Sequence, residues 1–85
     1  NYVKVNEEIR KIFRLKDEHI SFVRPESFEL LKEKNSKSKS GIIEEKKFYG
    51  SYYLYEVSVS DQLITVQSNA KFEVGEKCFV VYRGS

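Results

Sequence analysis

An all-β fold, mainly antiparallel, is predicted by three features of this chain. Side chains alternate in character along Tyr52–Ser60, aromatic and β-branched residues recur in short runs, and those runs are separated by glycines, a proline or small polar residues. At 85 residues the chain is long enough for one domain only, spanning 1–85.

Taken in chain order, the first fifteen residues are the least regular. Val5, Ile9, Ile12 and Phe13 fit a helical stripe with Asn6 as its cap. Ile12 with Arg14, and Phe13 with Leu15, fit a strand less cleanly, and the reading adopted is a short N-terminal helical turn up to Ile9, then a strand. Lys16-Asp17-Glu18 is turn-like. His19–Val23 reads as a strand that Pro25 stops, because proline has no N–H to give to a ladder. Ser27–Leu31 is another short strand. Residues 32–40 place Lys32, Lys34, Lys37 and Lys39 among Ser and Asn, the composition of a flexible, solvated loop.

The second half is clearer. Gly41–Tyr49 is a strand entered at Gly41 and broken at Gly50-Ser51 by a turn or bulge. In Tyr52–Ser60, Tyr53, Tyr55, Val57 and Val59 share one face, and Tyr52, Leu54, Glu56, Ser58 and Ser60 the other. Gln62–Gln67 follows through a tight hairpin junction, and Lys77–Arg83 is reached through Gly75, which tolerates a positive φ. Five to seven short strands without a long helix predict a small barrel or sandwich, and a five-stranded OB-like barrel is the natural candidate.

Hydrophobic residues make up 40% and charged residues 33%, a globular balance with no apolar run near the roughly 20 residues that span a bilayer. A domain this small hides only about 60% of the surface its unfolded chain exposes, so it gains from packing on a neighbour. The chain has no Met and starts at Asn1, which leads us to expect a fragment of a longer protein. Cys78, the single cysteine, lies in an apolar run and is read as a small buried residue rather than a reactive thiol.

Catalytic, cofactor and metal sites are not expected in this fragment. His19 has no second His or Cys to complete a metal set. The glycines are isolated, so no phosphate loop is present, and adjacent strand residues Glu44 and Glu45 point to opposite faces and form no acid/base pair. The aromatics Phe48, Tyr49, Tyr52, Tyr53 and Tyr55 cluster in one hairpin. With a net charge of only +2, a protein interface is favoured for the outward ones, while Tyr53 and Tyr55 face the core. The competing expectation is an OB-fold module that stacks single-stranded nucleic acid on Tyr52 and Tyr53 beside Lys47. A sugar- or small-ligand-binding β module is a third reading, without specific support.

Several motifs occur in a suggestive order: Val23-Arg24-Pro25-Glu26, then Gly41-Ile42-Ile43, Phe48-Tyr49-Gly50, Tyr55-Glu56-Val57, and Gly75 before Cys78-Phe79-Val80-Val81. Together they resemble the TOBE (transport-associated OB) domain at the C-terminus of bacterial ABC importer ATP-binding proteins of the maltose, polyamine and iron types. The resemblance covers residues 19 to 83, leaving 1–18 poorly matched. It implies a non-catalytic regulatory and dimerisation domain supporting ATP-driven solute import. ATP and Mg would belong to a missing ATPase domain of the same chain. Implied partners are that ATPase domain, a second copy in a homodimer and, indirectly, the transporter's membrane subunits, with no nucleic acid. The implied location is cytoplasmic, peripheral to the inner membrane. The Ser-Ala-Arg-Asn type start of the related oxyanion-binding subgroup is absent, so molybdate binding is not implied. The interface residues expected are Arg24, Phe48, Tyr49 and Tyr52, with Pro25, Gly41, Gly50 and Gly75 as structural turns. An Arg24–Glu26 ion pair at the corner would be worth at most about 1 kcal/mol.

Overall fold

The computed structural model of the chain describes residues 2–17 and 19–84. The turn expected at Lys16-Asp17-Glu18 is therefore described except at Glu18, which lies outside the described residues. The elements run β1 (Val3–Lys4), α1 (Glu7–Phe13), β2 (Phe22–Val23), a 3-10 turn (Pro25–Ser27), β3 (Phe28–Leu31), β4 (Lys39–Phe48), β5 (Tyr53–Val59), β6 (Gln62–Ser68) and β7 (Lys77–Tyr82). β1 and β2 form a small antiparallel ribbon, and the other five strands form one antiparallel sheet in the order β3-β7-β4-β5-β6.

β4 explains how that sheet curls. Lys39–Ile42 pairs with β7, whereas Ile42–Phe48 pairs with β5, so one long strand serves both halves. β6, at the far edge, comes back against the 3-10 turn and β3. The result is an all-β, OB-like half-barrel, as the strand pattern predicts. Its interior holds Phe28, Ile43, Tyr55, Val57, Val59, Ile64, Val66, Phe72, Cys78 and Val80, all essentially inaccessible. Tyr55, Val57 and Val59 confirm the inward face read from the alternation, and Tyr53 is half-buried behind them. None of the helices described is long and apolar enough to cross a membrane.

The N-terminal part departs from expectation. α1 continues to Phe13 through the stretch expected to be a strand, and the next strand is β2. The Asn6 side chain accepts the Ile9 N–H at 2.8 Å, Glu7 and Glu8 occupy the first turn, and Ile9, Ile12 and Phe13 line one face. This is the capped amphipathic pattern, and it prevails over the weaker alternation. Arg14 ends the helix with φ 54°. The strand expected at His19–Val23 is reduced to Phe22–Val23. The Arg10 guanidinium donates to the Asp17 and Ile20 carbonyls at 2.7 and 2.8 Å, so a side chain takes acceptors that a ladder would use. His19 is an exposed turn residue whose N–H donates to Asp17 Oδ1. The two-residue strand β1 carries no readable period at that length.

Residues 32–40 contain a turn held by its own contacts. Asn35 N–H donates to Ser38 Oγ at 3.0 Å, and Lys37 N–H donates to Asn35 Oδ1 at 2.9 Å. Lys39 and Ser40 already belong to β4, so Gly41 lies inside that strand instead of opening it. Its role is close approach: a Cβ there would stand 2.8 Å from Val57 Cγ1 and 2.9 Å from the Ser58 carbonyl. Gly50 and Gly75 do sit in turns, at φ 87° and 90°. β2 ends at Val23, and Arg24 continues in extended backbone (φ -80°, ψ 149°). Pro25 then opens the 3-10 turn with its ring buried.

Candidate interaction surface

The geometry of the candidate surface starts from a β-bulge. Ile43 pairs with Val57, but Glu45 pairs with Glu56, so Glu44 is an extra residue on β4. Gly41 and Ile43 lie on the inward phase, and after the bulge Lys46 and Phe48 take it over. Glu45, Lys47 and Tyr49 are thereby turned to the outer face. This corrects the expectation that Glu44 and Glu45 simply alternate; both are exposed at the bulge. Glu45 now lies across from Glu56, whose carboxylate accepts the Thr65 hydroxyl at 2.6 Å, while Lys47 approaches Glu45 at 3.9 Å.

The two-residue turn Gly50-Ser51 joins β4 to β5, closed by the Tyr49 N–H donating to the Tyr52 carbonyl at 2.9 Å. It stacks the Tyr49 and Tyr52 rings, with centroids 5.6 Å apart and planes 14° apart. Two shallow grooves meet beside this pair. One, of about 300 Å³, runs along Lys47, Tyr49, Leu54 and Leu63. The other, of about 380 Å³, runs along Arg24, Pro25, Tyr52 and Leu54. Leu54 lines both. Tyr49 is 49% and Leu63 59% exposed, two large apolar side chains left in water among Glu45, Lys47, Glu56 and Thr65.

Three of the four expected interface residues, Arg24, Tyr49 and Tyr52, therefore border one continuous surface. Phe48 does not join them. It is 63% exposed but on the inward phase, packed on Tyr53 at 4.9 Å. The trio Tyr52, Tyr53 and Lys47, expected as a nucleic-acid platform, is likewise divided between faces, since Lys47 pairs with Leu54 and Tyr53 with Phe48. Leu54 and Leu63 were missed as surface candidates. The alternation in β6 signals Leu63, because Ile64 and Val66 take the inward positions. Arg24 stands 3.9 Å from Glu26, both well exposed, the weak corner pair expected.

No family model matches the chain, and no curated protein matches it either.

Behind the face, the β6–β7 loop is fixed by polar contacts, buried at the Tyr55 hydroxyl and exposed at the Glu76 carboxylate. The Tyr55 hydroxyl donates to the Ala70 carbonyl at 2.6 Å and accepts the Phe72 N–H at 2.9 Å. Gly75 N–H donates to the Ile43 carbonyl and Ile43 N–H to the Glu76 carbonyl, tying the loop to the bulge. The Glu76 carboxylate accepts the Glu73 N–H and the Lys32 ammonium, which together hold its pKa below the ordinary 4.5. Cys78 is buried, and burial, with a smaller contribution from Glu76, pushes its thiol up to about 11. Among the described residues no three His, Cys, Asp or Glu side chains are grouped to hold a metal ion.

Proposed function

We propose that this chain is a non-catalytic regulatory and dimerisation domain of the TOBE type, belonging to an ABC importer ATP-binding subunit. It would act by presenting the outer face of β4, β5 and β6 to a second copy or to the ATPase domain of its own chain. The observation that carries the reading is the continuous surface of Arg24, Tyr52, Tyr49, Leu54 and Leu63. Stacked tyrosines give contact area at low entropic cost, and the exposed Leu63 beside the half-buried Leu54 favours removal from water. The OB-like half-barrel and the Arg24-Pro25-Glu26 corner support the family assignment.

Sedimentation equilibrium of the chain over a wide concentration range tests the contact. Self-association weakened about tenfold or more by Tyr49→Ser with Leu63→Ser is the expected result, each exposed apolar side chain being worth about 1 kcal/mol or more when buried at an interface. A strictly monomeric chain at the highest concentration, or association indifferent to the two substitutions, contradicts a contact through this face between copies.

A further inference from the structure

A second groove, sharing no lining residue with the surface above, has a different chemistry. Arg14 at the end of α1, Lys16 just beyond it, Lys37 in the β3–β4 loop and Lys39 at the start of β4 line one depression of about 450 Å³. Among the described residues no carboxylate lines it. Among the described residues, none of these four cations takes part in an ion pair, as is also true of Lys4, Lys11, Lys34, Lys71 and Lys77; what sets the four apart is that they share one depression. The whole chain carries only +2, and without these four cations its acidic side chains outnumber its basic ones. The groove also has an apolar wall. Phe13 and Tyr82 both pack edge-on against Phe28, at 5.1 and 5.5 Å, which fixes their rings. The internal contacts of Asn35 and Ser38 hold the turn that carries Lys37.

We infer that this groove binds a small phosphate ester with a planar or apolar group, the chemistry of a nucleotide. Four cations around one depression, with no carboxylate among its described lining residues, repel one another, and a multiply charged anion relieves that repulsion. The volume falls within the range of small-ligand pockets, roughly 300 to 1,000 Å³. The phosphates meet the ammonium and guanidinium groups, and the ring meets the wall of Phe13 and Tyr82.

Titration of the isotope-labelled chain with adenosine diphosphate, followed by amide chemical shifts at low salt, tests the inference. Pyrophosphate serves as the probe without a ring. Saturable shifts confined to residues 12–16, 36–39 and 82 are expected. Lys16→Gln with Lys37→Gln, both exposed positions, should weaken binding about tenfold, since each charge-assisted contact is worth on the order of a few-fold or more. Lys4→Gln, away from the groove, should leave it unchanged. Absence of saturation, shifts spread over lysines throughout the chain, affinity unaffected by the double substitution, or pyrophosphate binding as tightly as the nucleotide would each overturn it.

Discussion

Tyr55 lies wholly inside the half-barrel yet carries a polar group, and that group is satisfied twice, by the Ala70 carbonyl and the Phe72 N–H. Tyr55→Phe keeps the ring and removes the bridge, leaving a buried N–H without its acceptor. A loss of about 1 to 3 kcal/mol is expected, read from chemical denaturation, with faster amide exchange at Phe72. Gly41 makes the complementary case of a missing atom. Gly41→Ala drives a methyl group into Val57 and the Ser58 carbonyl, and backbone on one side cannot rotate away. Destabilisation of about 1 to 3 kcal/mol is expected in the same measurement, the usual cost of overpacking. The inward direction of Tyr55 was legible from period-two alternation. Its hydroxyl partners were not, because residues 69–76 have no repeating pattern. Gly41 was legible as a backbone-geometry position, but a sequence does not distinguish a turn from a close approach.

Among the elements, β5, β6 and β7 were legible nearly to their ends, because each is bounded by turn residues. The Ser60-Asp61 turn has φ 48° and 66°, the doubly positive conformation that suits a two-residue hairpin. The bulge in β4 was not legible, since Glu44 and Glu45 look alike and only the register with β5 reveals the extra residue. Its consequence is large: it decides that Tyr49 rather than Phe48 faces outward. α1 was half legible, its cap and stripe being visible while its length was not. The β6–β7 loop carries a pH dependence. Glu76 has a folded pKa below 4.5, so its contribution to stability is present above the ordinary carboxylate range and is lost as pH falls through the folded value. Glu76→Gln is expected to lower the melting temperature near neutrality, with the gap from the parent closing as pH falls below 4.5. A gap that stays constant across the acid range contradicts this account.

At the scale of the molecule, the all-β class and the OB-like curl follow from strand spacing, whereas the way one edge returns to the 3-10 turn depends on contacts between residues far apart in the chain. The grooves show the same division. Arg24, Tyr49 and Tyr52 were recognisable as outward residues one at a time, but Leu54 joins their grooves only once the sheet is curled. The basic groove draws on Arg14 and Lys16 from one end of the chain's first half and Lys37 and Lys39 from the other, which no local pattern connects. The central claim, that this domain regulates an ABC-type ATPase, concerns what else the gene encodes. The most direct measurement is therefore the coding sequence upstream of Asn1. A G-x-x-x-x-G-K-[ST] phosphate loop about two hundred or more residues earlier is the expected result, because that loop cradles the phosphates of ATP. A start codon immediately before Asn1 would contradict the claim.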